Sequence, residues 1–172
     1  GALANATYGD APIALTATAS SGLTVSYSSS NTNVATVSGA TLTIVGVGTT
    51  TITASQAGDV NYTAATSVNQ SFTVGTKGLT ISGITANDKV QDGTTTATLA
   101  GTATLVGVVS GDELLVSLSG TPTANFATAL PGANQVVTVS GYTLSGTKAG
   151  NYTVAQPTGL TASITALNTP VA

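Results

Sequence analysis

Ionisable side chains are scarce in this sequence. Only 5% of its 172 residues are charged, with three Lys or Arg against six Asp or Glu and a net charge of −3, where about a quarter is usual. The basic residues are Lys77, Lys89 and Lys148. They are too few to neutralise a nucleic-acid backbone or an anionic membrane surface, so charge excludes both partners. The small net charge gives only weak repulsion between copies, which leaves self-association open.

Histidine, cysteine, methionine and tryptophan are missing altogether. Without His there is no imidazole base, and without Cys there is neither a thiol nucleophile nor a disulfide. No apolar run approaches the roughly 18 residues that a membrane-spanning helix needs, so we predict no membrane insertion. The first ten residues lack both a basic and an apolar region, so we expect that a leader has been removed or that this is a segment of a longer chain.

Carboxylates are the remaining candidates for chemistry, and there are six of them: Asp10, Asp59, Asp88, Asp92, Asp112 and Glu113. A glycosidase needs two carboxylates across a cleft, whereas the adjacent Asp112 and Glu113 would point to opposite faces of a strand. Calcium prefers several carboxylate oxygens, to which Asp88 with Asp92, or Asp112 with Glu113, would contribute. Ordinary turn chemistry explains the same residues. We therefore predict no enzyme activity, no catalytic residue, no cofactor and no metal site.

Apolar residues alternate with Thr or Ser along most of the chain, which is the pattern of half-buried β-strands. The predicted strands are Ile13–Ala19, Leu23–Tyr27, Thr41–Ile44, Thr51–Ala54, Ser71–Val74, Leu79–Ile81, Leu114–Leu118, Val137–Val139, Tyr142–Leu144 and Leu160–Ile164. Glycine-rich turn signals separate these runs, and no stretch has a helical period. Short strands at this spacing predict an all-β sandwich or barrel. A polar gap at residues 75–78 predicts two domains, 1–75 and 76–172.

Several short phrases keep a fixed order in the first half: TYGD at 7–10, SYSSSN at 26–31, VATV at 34–37, GVGTTTITA at 46–54 and AGDVNYTAA at 57–65. In this order they resemble an MBG-type repeat, a bacterial immunoglobulin-like domain. The second half contains KVQDGTT at 89–95, GTPT at 120–123, VSGYTLSG at 139–146 and AGNYT at 149–153. These phrases resemble the YDG-type repeat, named for a Tyr-Asp-Gly motif.

The resemblance implies two tandem immunoglobulin-like β-sandwich domains, of a kind common in large bacterial surface proteins. Two departures stand out. Gln91 occupies the position where the naming tyrosine is expected, and residues 126–136 lack the charged side chains that are usual there. The first departure removes the tyrosine that a family-specific role would use, and the second lowers the charge.

One phrase occurs twice, as AGDVNYTA at 57–64 and AGNYTVA at 149–155. A repeated corner of a repeated fold explains this better than a repeated binding site. In each copy we predict that the glycine adopts a positive φ and that the asparagine bonds nearby backbone. The tyrosine, Tyr62 or Tyr152, is predicted to plug an open end of its sandwich.

A non-enzymatic, extracellular structural role follows as the expected function. The chain would be a subunit or repeat segment of a bacterial cell-surface filament or adhesin stalk, assembled through contacts between immunoglobulin-like domains. Its partners would be copies of itself or neighbouring repeats, with the terminal segments 1–9 and 164–172 as the predicted contacts. The alternative is an adhesin module that binds a carbohydrate or a protein through an exposed aromatic side chain.

Overall fold

The structure, a computed structural model, describes residues 2–168. Its backbone forms fifteen strands and a single-turn 3-10 helix at Ala149–Asn151, and the described part of the chain contains no α-helix. The all-β prediction is therefore confirmed. The Cα positions cluster into two compact units, Gly1–Lys77 and Gly78–Ala172, while a division into separate domains at residue 75 stays a prediction. None of the helices in residues 2–168 has the length and apolarity required to cross a bilayer.

Seven strands form two sheets in the first unit. They are β1 (Ala6–Thr7), β2 (Ile13–Ala14), β3 (Ser26–Ser29), β4 (Ala35–Ser38), β5 (Thr41–Ile44), β6 (Gly48–Gln56) and β7 (Ala65–Gly75). One sheet has the order β1-β7-β6-β3 and the other β2-β5-β4. All neighbours are antiparallel except β1, which lies parallel to the end of β7 with Ala6 opposite Val74.

Alternation over Thr50–Ile52 of β6 and Ser71–Gly75 of β7 creates one buried and one more exposed face. On β7, Phe72 and Val74 are buried while Ser71 between them is exposed. Leu42 contributes a fully buried side chain from the other sheet of this unit. The outer face carries hydroxyl and amide groups that bond across strands, as between Thr53 Oγ1 and Asn69 Oδ1 at 2.7 Å. Apolar and β-branched polar residues in alternation thus produce a sheet with one dry and one wet face.

Eight strands form the two sheets of the second unit. They are β8 (Lys77–Ala86), β9 (Lys89–Val90), β10 (Thr96–Ala97), β11 (Leu99–Val106), β12 (Ser117–Phe126), β13 (Gly132–Ser145), β14 (Tyr152–Val154) and β15 (Leu160–Thr165). The larger sheet has the order β10-β12-β13-β15-β9 and the smaller one β11-β8-β14. Its core cluster includes Phe126, Val137 and Ile164 of the larger sheet, against which Ala86 and Leu99 of the smaller sheet pack.

Some predicted strands differ from the observed ones for local reasons. Only Ile13–Ala14 of the predicted run 13–19 pairs with a neighbour. The predicted strand at Leu114–Leu118 begins at Ser117, because Asp112 opens a turn in which its carbonyl accepts the N–H groups of Leu115 and Val116. Leu114 consequently lies 98% exposed. Alternating apolar residues therefore do not by themselves distinguish a strand from a turn such as this one, which the Asp112 carbonyl closes.

Candidate functional site

The six carboxylates predicted as candidates are dispersed in the structure. Within residues 2–168, no group of three or more His, Cys, Asp or Glu side chains is arranged to hold a metal ion. Asp88 accepts the N–H of Ser163 at 2.6 Å, and Glu113 accepts the N–H of Gly111 at 2.8 Å. Asp10 accepts the N–H of Thr7, and Asp59 accepts two N–H groups of its own turn. These side chains therefore serve turns and strand ends.

Lys89 is at the centre of the most highly connected polar cluster in the described residues. Its ammonium lies 2.8 Å from Asp92 Oδ1, 2.8 Å from the Thr94 carbonyl, 3.1 Å from Thr94 Oγ1 and 2.9 Å from the Thr96 carbonyl. It also lies 5.6 Å from the ring centroid of Phe126. Four oxygens compete for three ammonium donors, so the lysine clamps residues 92–96 onto the end of the larger sheet.

The clamp also changes the acidity of Asp92. The hydrogen bond from Lys89, together with those from the backbone and hydroxyl of Thr94, lowers the pKa of Asp92 from 3.8 to about 2. A carboxylate with a lowered folded-state pKa stabilises the fold above its unfolded value, and this contribution disappears as the pH falls through about 2. We expect an NMR titration of Asp92 to show this midpoint and Lys89→Met to move it back toward 3.8. An unchanged midpoint in that variant would contradict the assignment.

A second polar pair is buried in the same unit. Tyr152 donates its hydroxyl to Asp112 Oδ2 at 2.6 Å and accepts the N–H of Val109 at 3.2 Å. Both members are nearly inaccessible, with Tyr152 5% and Asp112 7% exposed. Because Asp112 also starts the turn that precedes β12, this pair ties the loop at 109–116 to the start of β14. We therefore interpret the pair as structural.

The repeated phrase adopts two different structures, which corrects the prediction of a common corner. Tyr152 is buried as predicted, but Tyr62 is 52% exposed and plugs nothing. In the first copy Asp59 Oδ1 accepts the N–H groups of Asn61 and Tyr62, which turns the loop outward. Gly58 has a positive φ of 74°, whereas Gly150 lies in the 3-10 helix without one. The extra residues of the first copy allow the aspartate-centred turn to form.

A cleft of about 440 Å³ opens in the first unit. Its walls are the inner faces of β3, β6 and β7, the segment around residues 13–19, and the N-terminal residues 2–4. Tyr27 lies in the lining, but its hydroxyl is bonded to both backbone groups of Ala17. No Asp, Glu, Lys or Arg lines the cleft. Uncharged, largely apolar residues therefore line this cleft.

One polar group at the cleft remains available. Gln56 is only 6% exposed, and its Oε1 accepts the N–H of Ala65 at 3.3 Å. Within residues 2–168 its Nε2 has no hydrogen-bond partner, and the side chain lines the cleft. Neither Gln56 nor Lys89 was identified from sequence as functional. Lys89 was detectable as a lysine three residues before an Asp-Gly turn, whereas no local signal distinguishes Gln56.

Both units end their larger sheet in the same way. A two-residue strand, β1 or β9, runs parallel to the last long strand, β7 or β15. The next residue then donates its N–H to that strand, Tyr8 to Gly75 at 2.9 Å and Gln91 to Thr165 at 2.8 Å. Tyr8 is buried, whereas Gln91 is half-buried. The glutamine noted in the sequence thus occupies the place where the first unit has a core tyrosine.

Comparisons with known proteins agree with part of the predicted resemblance. Searches of the curated proteins and of the solved structures found no match. The similarity of residues 1–75 to an MBG-type repeat is not supported by the comparisons and stays a prediction. Residues 75–159 match the family model of the YDG domain, so the second unit is similar to that family over most of its length.

Proposed function

We propose that this chain is a non-enzymatic, extracellular structural protein that associates with copies of itself or with neighbouring repeats. It would be a subunit or repeat segment of a bacterial surface filament or adhesin stalk. The observation that carries the proposal is the chemistry of the sheet edges. The eight edge strands of residues 2–168 are β1, β2, β3, β4, β9, β10, β11 and β14. They contain one charged residue, Lys89, and its ammonium is held by the clamp described above.

Unguarded edges favour association because a strand edge presents unpaired N–H and C=O groups to any other strand. Monomeric β-proteins usually block their edges with charged side chains, proline or bulges. Here β11 offers eight edge residues, Leu99–Val106, with no charge and no proline. Its only protection is the register shift between Gly101 and Thr104. An edge of this length without charge is suited to pairing with another chain.

The proposal also includes an immunoglobulin-like architecture for both units. If the seven strands of the first unit are lettered A to G, its sheets read A-G-F-C and B-E-D. The immunoglobulin sandwich likewise groups C, F and G in one sheet and B, E and D in the other. For the second unit, residues 75–159 match the YDG domain family, and the immunoglobulin-like architecture is part of the proposal.

Self-association is tested by electron microscopy and multi-angle light scattering of the intact 172-residue protein over a range of concentrations. We expect a mass above that of one chain and particles of constant width, because edge pairing repeats a single geometry. Irregular aggregates of variable width would indicate non-specific clustering. A single-chain mass at every concentration would contradict the proposal.

A ligand-binding adhesin module is the second candidate, and the cleft of the first unit favours it. Its volume of about 440 Å³ falls within the range of small-molecule sites, which is roughly 300–1,000 Å³. Binding of a glycan library member to monomeric protein, and loss of that binding in Val68→Trp, which places an indole at an exposed position of the cleft lining, would select this candidate. The exposed Tyr62→Ala variant serves as the matched control outside the cleft.

A further inference from the structure

We propose that the cleft of the first unit and the adjoining edge of β7 form an acceptor groove for an extended, uncharged segment of a second copy of this chain. This inference rests on the proposed self-association and locates its acceptor. Three observations support it: an uncovered apolar face, an unpaired strand edge beside that face, and the absence of charge in the lining.

The apolar face is uncovered where β7 passes the cleft. Val68 lies on the inner side of β7 and lines the cleft, yet it is 58% exposed. Four residues further along the same face, Phe72 is fully buried. The inner side of β7 thus changes from core to open surface within one strand. An extended segment placed there would bury Val68.

The edge of β7 beside the cleft has free main-chain groups. In a strand, alternate residues direct both their N–H and C=O groups to the same side. The Thr73 N–H bonds Asn5 Oδ1 and the Gly75 carbonyl accepts Tyr8 N–H, so odd-numbered residues face away from β6. Asn69 and Ser71 belong to this set. Strand β1 pairs only with Val74 and Gly75, and no other strand of residues 2–168 lies on this side.

The N-terminal residues 2–5 pass this edge without closing it. They are attached through side-chain amides, with the Leu3 N–H bonded to Gln70 Oε1 and the Thr73 N–H to Asn5 Oδ1. No ladder of main-chain bonds joins them to β7, since the register begins at Ala6. An incoming strand of about five residues, roughly 17 Å long, would supply the missing ladder.

The chemistry of the groove selects a second copy as the occupant. Twenty residues line the cleft and none is charged, so a charged segment would lose its hydration without gaining a partner. Only 5% of the residues of this chain are charged. Over most of its length the chain alternates small apolar residues with Thr or Ser. A strand with that pattern would place apolar side chains in the cleft and hydroxyls outside. Because acceptor and donor are different surfaces, the contact builds a closed ring or an open filament, depending on whether its rotation closes.

A pair of neighbouring substitutions tests the groove. Val68→Asp puts a negative charge into it at an exposed position, whereas Asn69→Asp adds the same charge on the opposite face of the same strand. The Thr53 hydroxyl that bonds Asn69 Oδ1 at 2.7 Å keeps its acceptor in the control. We expect Val68→Asp to weaken self-association at least about tenfold, because the carboxylate must be desolvated. We expect Asn69→Asp to associate as the unmodified protein does.

A labelling experiment gives a second readout, and it does not require a new charge at position 68. Because the chain has no cysteine, Val68→Cys and Asn69→Cys each carry a single site for a maleimide dye. We expect association to protect Cys at position 68 from labelling and to leave position 69 reactive. Hydrogen exchange of the first unit confirms that each variant is folded.

The possible results separate this inference from the proposed function. If the unmodified protein and Val68→Asp associate equally and position 68 stays reactive in the assembly, the groove is not the acceptor and self-association stands. If the unmodified protein remains a monomer at all concentrations, both the second-copy groove and the self-associating function are wrong. Selective loss in Val68→Asp with protection at position 68 supports the groove.

Discussion

Tyr152→Phe is expected to lower the free energy of unfolding of the second unit by about 2–3 kcal/mol. The substitution removes the hydroxyl that donates to Asp112 Oδ2 at 2.6 Å and accepts the Val109 N–H at 3.2 Å. Both the carboxylate and the half-buried amide then lose a partner, and Asp112 is nearly inaccessible, where an unmade hydrogen bond costs most. Urea denaturation of the full chain, with hydrogen exchange resolved by peptide, measures the effect in residues 78–172.

The repeated phrase supplies its own control. Tyr62→Phe is the same chemical change in the same local sequence, but Tyr62 is 52% exposed. We expect a change within about 0.5 kcal/mol, as for most surface substitutions. Equal effects of the two substitutions on their respective units would contradict the structural distinction between the two copies.

Gly101→Ala is expected to destabilise the second unit by about 3–5 kcal/mol. Gly101 lies in β11 with φ +87°, and a Cβ there would be 2.2 Å from the Gly83 carbonyl oxygen of β8. Main chain cannot rotate away as a side chain does, so the β8–β11 ladder would have to open at its register shift. Thermal unfolding by circular dichroism and hydrogen exchange in β8 would report the loss.

Gly93→Ala separates backbone strain from steric overlap. Gly93 has a similar φ of +78°, yet a Cβ there would meet nothing within 4 Å. The left-handed conformation alone costs a residue with a Cβ about 1–2 kcal/mol. We expect a loss of that size for Gly93→Ala. A Gly101→Ala effect no larger than that of Gly93→Ala would show that the ladder relaxes around the added methyl group.

Alternation was sufficient to predict much of the strand content but not the strand ends. Thr41–Ile44 coincides with β5, and Leu160–Ile164 lies within β15. The predicted strands Val137–Val139 and Tyr142–Leu144 are one strand, β13, in which Gly141 has φ +95° and lies at a register shift. In a sequence, such a glycine predicts the end of a strand or a bulge. Pairing with β12 on both sides of it maintains the strand.

The candidate site was less predictable, since its residues come from distant parts of the chain. In the sequence, Val68 resembles any inward-facing residue of an alternating strand. No neighbouring residue indicates that Val68 is left exposed in the cleft. Gln56 reads as one polar residue among many. Their significance depends on the cleft that they line together with residues 13–19 and 2–4. Only the assembled walls define a cleft.

The sequence alone determined the low charge, the lack of thiols and imidazoles, and the period of two that produces strands with one dry face. These are properties of composition and local geometry, and every fold of this chain would keep them. Tertiary structure decided which tyrosine of the repeated phrase is buried, that Lys89 clamps the turn at 92–96, and where the edge of β7 extends beyond its pairing with β1. The burial of Tyr152 and the pairing of β7 depend on residues far apart in the chain, because burial and strand pairing are set by what packs opposite a residue.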